Sequence, residues 1–446
     1  MRSVATHAAK FRDGKVTSVE LTEAAIARIN DPKGEGERVF IRRFDDQARA
    51  EAECADRLKK AGLIASPLAG LPISVKDLFD VAGTVTTAGS VALANAPPAT
   101  IDAPIVARLR AAGAVILGAT NMTEFAFSGI GHNPHYDTPR NPWDRATGRI
   151  PGGSSSGAAV AVTDQMSVIS IGTDTGGSVR IPAAFCGLVG FKPTARRVPT
   201  DGAAPLSWSL DSIGPLATTV ACCAIVDSII AGEPIYAPPA FPVKQLRLAV
   251  PQNFVLDGLD AAVASAFQAA LDRLASAGAT LVEVNLSDLN DIPSINAKGG
   301  LAAAEAYAWH RPILAAAADR YDPRVRARVE RGASMTAADY IDVVQRRSQL
   351  QLNVMSQLDG FDAMVMPSVA VVAPTLAEVA DDADFTRWNM LILRNTTVGN
   401  LLDMCSISIP CHTPGSAPVG LMLSAPPMAD KRLLSIGRGV EALFAR

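Results

Sequence analysis

Helix-type and strand-type patterns take turns along most of the chain, which leaves few architectures open. LPISVKD (Leu71–Asp77) alternates Ile73 and Val75 as a short strand that ends at a lysine. Pro104 opens a helix that runs to Ala112, Gly113 stops it, and AVIL (Ala114–Leu117) follows as a strand. The same unit returns as a helix over Leu259–Ser276, then Gly278, then the strand TLVEV (Thr280–Val284). A helical stretch over Met335–Gln357 precedes the strand DAMVMP (Asp362–Pro367). Upstream, Thr17 and Glu20 form a capping box for a helix with Val19, Ile26 and Ile29 on one side, and a second helix covers Asp46–Lys60. Helices alternating with apolar strands predict an α/β fold around a largely buried sheet. The length of 446 residues fits either three average domains or one large α/β unit, and 48% hydrophobic residues supply a substantial core.

Charge and cysteine usage narrow the partners. Lys and Arg number 41 against 44 Asp and Glu, a net charge of −3, so no global basic field is available to hold nucleic acid. Cys54, Cys186, Cys222, Cys223, Cys405 and Cys411 include no C-x-x-C pair, which predicts reduced thiols and a cytoplasmic setting. MRSVATHAAKFRDGK has no apolar signal region. No apolar run approaches the ~18 residues of a membrane span; ACCAIVDSIIAG is short and broken by Asp227, and no membrane partner is expected. Two stretches differ in composition: residues 150–193 are rich in Gly, Ser, Thr and Ala with little charge, and the Pro-rich EPIYAPPAFPV (233–243) reads as a surface crossover between two lobes.

The small-residue stretch admits several chemistries. PGGSSSG (Pro151–Gly157) lacks the G-K-[ST] ending of a phosphate loop. Gly153-Ser154-Ser155-Ser156-Gly157 fits G-x-S-x-G with Ser155 central, but polar DRATGRI stands where that motif needs an apolar strand. On these residues alone a flexible Gly/Ser loop is the better description. The helix-like AAVAV and the strand VISI lead into GTDTGGSVRIP (Gly172–Pro182), where Thr175, Gly176 and Gly177 precede Ser178. Successive N–H groups in such a loop suit a developing oxyanion; equally, Ser178 is placed to cap the helix after it. A serine nucleophile needs a base. The histidines are His7, His132, His135, His310 and His412, and His132-x-x-His135 has no third ligand nearby for zinc. Lys76, a lone cation at the end of an apolar strand, is the other option, since burial lowers a lysine pKa; pairing with Asp77 at a strand edge is the alternative.

Taken together these residues resemble the amidase signature family. Its Gly/Ser pattern runs here from Gly152 to Ala183, with GGSSSG, GTDTGGS and SVRIPA in register and the family's separation between Ser154 and Ser178. Thr163 fills a slot usually held by Gly, Ala or Ser. LPISVKDLFDVAGTVTTAGS, RNPWD (Arg140–Asp144), GFKPT (Gly190–Thr194), SLDSIGP (Ser209–Pro215), NLLDMCSISIPC and APVGLML extend the likeness, which thins between about residues 230 and 355. The resemblance implies one large α/β domain over 1–446, with a mixed central sheet surrounded by helices: a helical region at about 1–65, a signature core at about 66–230, a variable lobe at about 245–375 and a closing strand and helix region at about 376–446.

It further implies an amidase that turns a small carboxamide into acid plus ammonia or amine, without cofactor or metal. Ser178 is then the nucleophile, Ser154 the bridging serine after a cis Gly153–Ser154 bond, and Lys76 the base. The N–H groups of Thr175, Gly176, Gly177 and Ser178 form the oxyanion hole, Asp174 braces the loop and Arg180 anchors the next helix. Ala126, Ser128 and Gly129 fall where the family lines its acyl pocket, and Tyr307, Trp309 and His310 are candidate walls from the variable lobe. A homodimer is the candidate assembly. Two other functions stay open. One is the glutaminase component of a tRNA-dependent amidotransferase, whose small-residue loop differs from SGIGHNPHYDTPRNP. The other is a non-catalytic scaffold, which would not need Lys76, Ser154 and Ser178 together.

Overall fold

The alternating patterns build a single sheet. The computed structural model describes residues 3–444. Eleven strands form it: β1 (Phe40–Arg43), β2 (Pro72–Lys76), β3 (Val115–Thr120), β4 (Ser170–Asp174), β5 (Val189–Lys192), β6 (Ser212–Ala217), β7 (Arg247–Pro251), β8 (Thr280–Val284), β9 (Ala363–Pro367), β10 (Cys405–Pro410) and β11 (Gly420–Ala425). Their order is β1-β3-β2-β4-β6-β5-β10-β11-β9-β7-β8. Pairing is parallel where β2 meets β3 and β4, and where β7 meets β8 and β9; the remaining pairs are antiparallel. The sheet is therefore mixed and helices pack around it, as the family resemblance implies.

Local chemistry explains the elements. The capping box at Thr17 and Glu20 forms, and its helix spans Ser18–Ile29 with Ile26 and Ile29 buried. Pro104 starts the helix Pro104–Ala111, and Gly113 adopts the left-handed turn (φ +83°) that returns the chain to β3. ACCAIVDSIIAG lies in the helix Val220–Ala231, which Gly232 terminates. Among the described residues no helix is long and apolar enough to cross a membrane. The helix Gly300–Ala317 and the helix Asp382–Leu401 carry no clear apolar periodicity in sequence, and tertiary packing decides them.

Two shifted boundaries bear on the site. The strand expected at VISI begins only at Ser170, although the Val168 N–H already donates to the Pro72 carbonyl of β2 (2.9 Å). The helix expected to open at Ser178 opens at Arg180, because the Asp174 carboxylate accepts the N–H groups of Val179 (3.2 Å) and Arg180 (3.3 Å). Ser178 is thus relieved of capping and stays in the turn.

Small residues let the next layer approach the sheet closely. The helix Ser156–Thr163 is buried from Ser156 to Val162. A Cβ on Gly157 would lie 2.6 Å from the Val39 carbonyl oxygen and 2.7 Å from the Asn121 nitrogen, both backbone atoms. A Cβ on Gly172 of β4 would lie 2.5 Å from Ser155 Oγ. The low charge of 150–193 suits an interior, where every side chain larger than Ala has to be accommodated. Gly157→Ala is expected to lower stability by about 1–3 kcal/mol, read as a lower denaturant midpoint at unchanged slope; an unaltered midpoint would mean that the helix has room to move off.

Candidate active site

Lys76 ends β2, between two parallel neighbours and buried along with the whole strand. Its ammonium does not pair with Asp77, whose carboxylate instead accepts from Thr87 Oγ1 and the Gly89 N–H (3.0 Å). Lys76 Nζ donates to Ser154 Oγ (2.7 Å) and Thr173 Oγ1 (2.8 Å). Burial pushes its pKa down to about 7, against the opposing pull of the Asp211 and Asp174 charges. Strand-end placement does the positioning: side chains at the carboxyl ends of adjacent parallel strands converge on one crevice.

Ser154 is fully buried and follows a cis Gly153–Ser154 peptide. The Gly153 N–H donates to the Gly129 carbonyl (2.8 Å), and the Ser154 carbonyl accepts from the Thr123 N–H (3.1 Å). Ser178 lies beside this turn, its carbonyl accepting the Ser155 N–H (3.3 Å). The structure therefore joins Lys76 to Ser154 directly and brings Ser178 alongside, with no hydrogen bond between the two serine hydroxyls. Catalytic hydrogen bonds are often long before substrate binds. Ser155, the centre of the G-x-S-x-G match, points elsewhere: its buried hydroxyl donates to the Thr173 carbonyl (3.4 Å).

The loop that carries Ser178 is held from behind. Arg180 and Asp174 are both fully buried and meet through two hydrogen bonds, Nε to Oδ2 (3.0 Å) and a terminal nitrogen to Oδ1 (2.8 Å). Asn400 closes the network, accepting from Arg180 (2.6 Å) and donating to Asp174 (2.9 Å). Burial alone would raise the Asp174 pKa, but the adjacent guanidinium outweighs it and holds the carboxyl at about 2. Arg180 is a structural anchor with no free face toward a ligand. In front of this network the N–H groups of Thr175, Gly176, Gly177 and Ser178 enter no hydrogen bond among the described residues. Gly177 (φ +141°) has no space for a side chain: a Cβ would sit 2.2 Å from Thr396 Oγ1. Four unpaired donors in a braced turn are a ready receptor for negative charge on oxygen.

A cavity of about 290 Å³ opens over Ser178. Ala126 and Ser128 line it; Gly129 does not, and its backbone instead holds the Gly153 turn and the Asn389 side chain. Arg328, Arg331 and Asn389 also line it, and no sequence pattern singled them out. Trp309 lines a neighbouring cavity, whereas His310 is buried against Tyr321 (2.8 Å) with its pKa pushed down to about 3 by burial. His132 and His135 turn apart, to Thr138 (2.9 Å) and Glu124 (2.9 Å), and neither reaches Ser178. Thr173, the second partner of Lys76, was also missed; a threonine on an apolar strand carries no signal of its own.

Comparison with known proteins finds one family across nearly the whole chain. The family profile described as Amidase matches residues 20–434. The chain is 37% identical over 454 aligned positions to the 2-amino-5-chloromuconic acid deaminase of Comamonas testosteroni, covering 100% of this chain and 96% of that one. It is 35% identical over 459 positions to an amidase of Pseudomonas putida, covering 98% and 95%. It is also 35% identical over 457 positions to the A component of the glutamyl-tRNA(Gln) amidotransferase of Chloroflexus aggregans, covering 95% and 92%. A crystal structure of an amidase superposes with a TM-score of 0.89 at 33% identity, over 99% of this chain and 100% of the other.

The brace makes a stability prediction. Arg180→Met leaves the buried Asp174 carboxylate without its counter-charge and is expected to cost about 3–5 kcal/mol in chemical denaturation. A loss below about 1 kcal/mol would mean that the pair behaves as an exposed one and does not brace the loop.

Proposed function

The chain belongs to the amidase family, and we propose that it is a free-standing hydrolase of small carboxamides that works through an acyl-enzyme on Ser178. Amide C–N bond hydrolysis is the activity of the family; the nucleophile, the relay and the substrate class are what we add to it. The observation that carries the proposal is the buried contact of Lys76 Nζ with Ser154 Oγ at 2.7 Å, beside a serine whose loop offers four unpaired N–H donors.

The chemistry follows from those positions. A lysine with a pKa of about 7 has an appreciable neutral fraction at neutral pH, and neutral Nζ carries a lone pair. Ser154 then donates its proton to Nζ and takes the proton of Ser178 Oγ as that oxygen bonds to the amide carbon. The carbonyl oxygen gains charge within reach of the N–H groups of 175–178. On collapse the C–N bond breaks, the proton returns through Ser154 to the leaving nitrogen, and ammonia or an amine departs. Water adds to the ester by the same relay, releasing the acid and restoring Ser178.

The alternative, a glutaminase that feeds a larger amidotransferase, draws on the 35% identity to the Chloroflexus protein. Against it, the cavity over Ser178 is lined by two arginines and by no acidic residue, so the α-ammonium of glutamine would find no counter-charge on the acyl side. A scaffold without catalysis gives no reason to bury a lysine in contact with a serine.

A release assay over aliphatic, aromatic and dicarboxylic amides, with ureas and glutamine included, tests the activity; turnover of glutamine alone, and only with a partner protein, would favour the amidotransferase reading. Ser178→Ala is expected to abolish turnover with the fold intact. Ser154→Ala is expected to lower kcat by about 10²–10⁴-fold, non-additively with Lys76→Ala because both cut one relay; a Ser154→Ala enzyme within a few-fold of wild type would break the relay. Since the neutral amine is the active form, kcat/KM should rise with pH through about 7 and level off above it; a rise centred near the free lysine value of about 10.4 would contradict a desolvated base.

A further inference from the structure

Two cavities flank the Ser178 loop and share Ala126, Thr175 and Leu206 as their common rim. They differ in charge. The cavity over Ser178 carries Arg328 and Arg331, which donate to the carbonyls of Phe127 (2.6 Å) and Ala297 (3.0 Å) and to no carboxylate. The second, about 380 Å³, carries Asp201 and Asp211 and no basic residue, together with the rings of Trp208 and Trp309. Thr173, which touches Lys76 Nζ, lies in the wall of this second cavity.

The acidic side is built rather than incidental. Trp208 is 58% exposed, an unusual place for the largest apolar side chain. It is held there: Ser207 and Ser209 on either side of it both bond to the buried Glu305 carboxylate (2.6 Å from Ser207 Oγ, 3.0 Å from the Ser209 N–H). The floor of the loop is stitched to the strand end that carries Lys76, through Asp80 N–H to the Gly202 carbonyl (2.7 Å) and Ala204 N–H to the Leu78 carbonyl (2.9 Å). Asp211 is engaged by Thr175 and by the N–H groups of Leu206 (2.9 Å) and Ser207 (3.1 Å), whereas the exposed Asp201 carboxylate enters no ion pair or hydrogen bond among the described residues. An unpaired carboxylate and an exposed indole lining one cavity are the composition that recognises an organic cation.

Resting on the hydrolase reading, we infer that this second cavity is the leaving-amine subsite and takes an amine that bears a positive charge, so that the substrate is an N-substituted amide whose amine half is cationic. Ser178 lines only the arginine cavity, which therefore holds the acyl half, and the amine half crosses the shared rim to the acidic side. The two arginines repel the same group from the opposite cavity and thereby fix the direction in which the amide lies across the rim. Attack by Ser178 Oγ breaks the C–N bond and leaves the acyl group on that oxygen, the serine proton passes through Ser154 to the leaving nitrogen, the cationic amine departs through the acidic cavity, and water then releases the acid.

The test varies only the amine. On an acyl group that the enzyme hydrolyses as its primary amide, kcat/KM is compared for the N-(2-aminoethyl), N-(2-hydroxyethyl), N-propyl and N-carboxymethyl amides. The aminoethyl amide should exceed the hydroxyethyl amide by about five- to tenfold and the carboxymethyl amide by more, and the preference should shrink as salt rises. Asp201→Asn and Trp208→Leu, both at exposed positions, should each lower the ratio of aminoethyl to hydroxyethyl rates. Equal rates across the series, a preference for the carboxymethyl amide, or a ratio untouched in Asp201→Asn would overturn the inference while leaving amide hydrolysis intact. Failure to hydrolyse any amide of the panel, primary or N-substituted, would instead remove the hydrolase reading, and this inference with it.

Discussion

The site depends on one unfavourable burial. A lysine ammonium at the end of an interior strand has lost its water and receives in return two hydroxyl contacts, from Ser154 and Thr173, and no carboxylate at ion-pair distance. Desolvation of that size is what moves an amine from a permanent cation to a base near neutrality. The surrounding carboxylates are kept off it. Asp77, the obvious counter-ion, is drawn away by Thr87 and Gly89, and Asp211 is engaged by the loop at 206–207. Had either carboxylate closed on Nζ, the charged form would be favoured and the lone pair lost.

A second constraint keeps the opposite charge balance a few residues away. Asp174 and Arg180 are ionised and paired in the interior, with Asn400 satisfying what remains of both. A buried pair contributes little net stability over apolar packing, but it has a geometric consequence here. By accepting the first N–H groups of the helix Arg180–Phe185, Asp174 replaces a serine cap and leaves the turn at 175–178 with its donors facing outward. The same strand, β4, thus delivers Thr173 to Lys76 and Asp174 to the brace, on successive residues of one strand.

Much of this was legible in the chain, for identifiable reasons. Period and punctuation set β2, the Pro104 helix and β8, because local patterns there agree with the tertiary outcome. The low charge of 150–193 reflected close approach of a helix to the sheet, which glycines at 157 and 172 permit. Residue chemistry alone left Lys76 between a base and a partner of Asp77, and Ser178 between a nucleophile and a cap. Those ambiguities turned on contacts made over long stretches of chain, and the motif resemblance was needed to choose. Thr173, Asn389, Arg328 and Arg331 stayed invisible because ordinary residues on ordinary elements become site residues only when strands and helices far apart in sequence meet. Gly129 was placed one layer too near the cavity: it supports the Gly153 turn from beneath.

The central claim is that Lys76 is a neutral base at physiological pH, and its own titration tests it most directly. Nitrogen-15 NMR of the lysine side chains, with Lys76→Met identifying the signal, reports the protonation state of Nζ without reference to turnover. The amine lost in Lys76→Met should titrate near pH 7, far below the solvent-exposed lysines and below the buried Lys192, which burial lowers to about 8. A Lys76 signal titrating with those lysines, at about 10.4, would contradict the claim and return Ser154 and Ser178 to a Gly/Ser loop without a base.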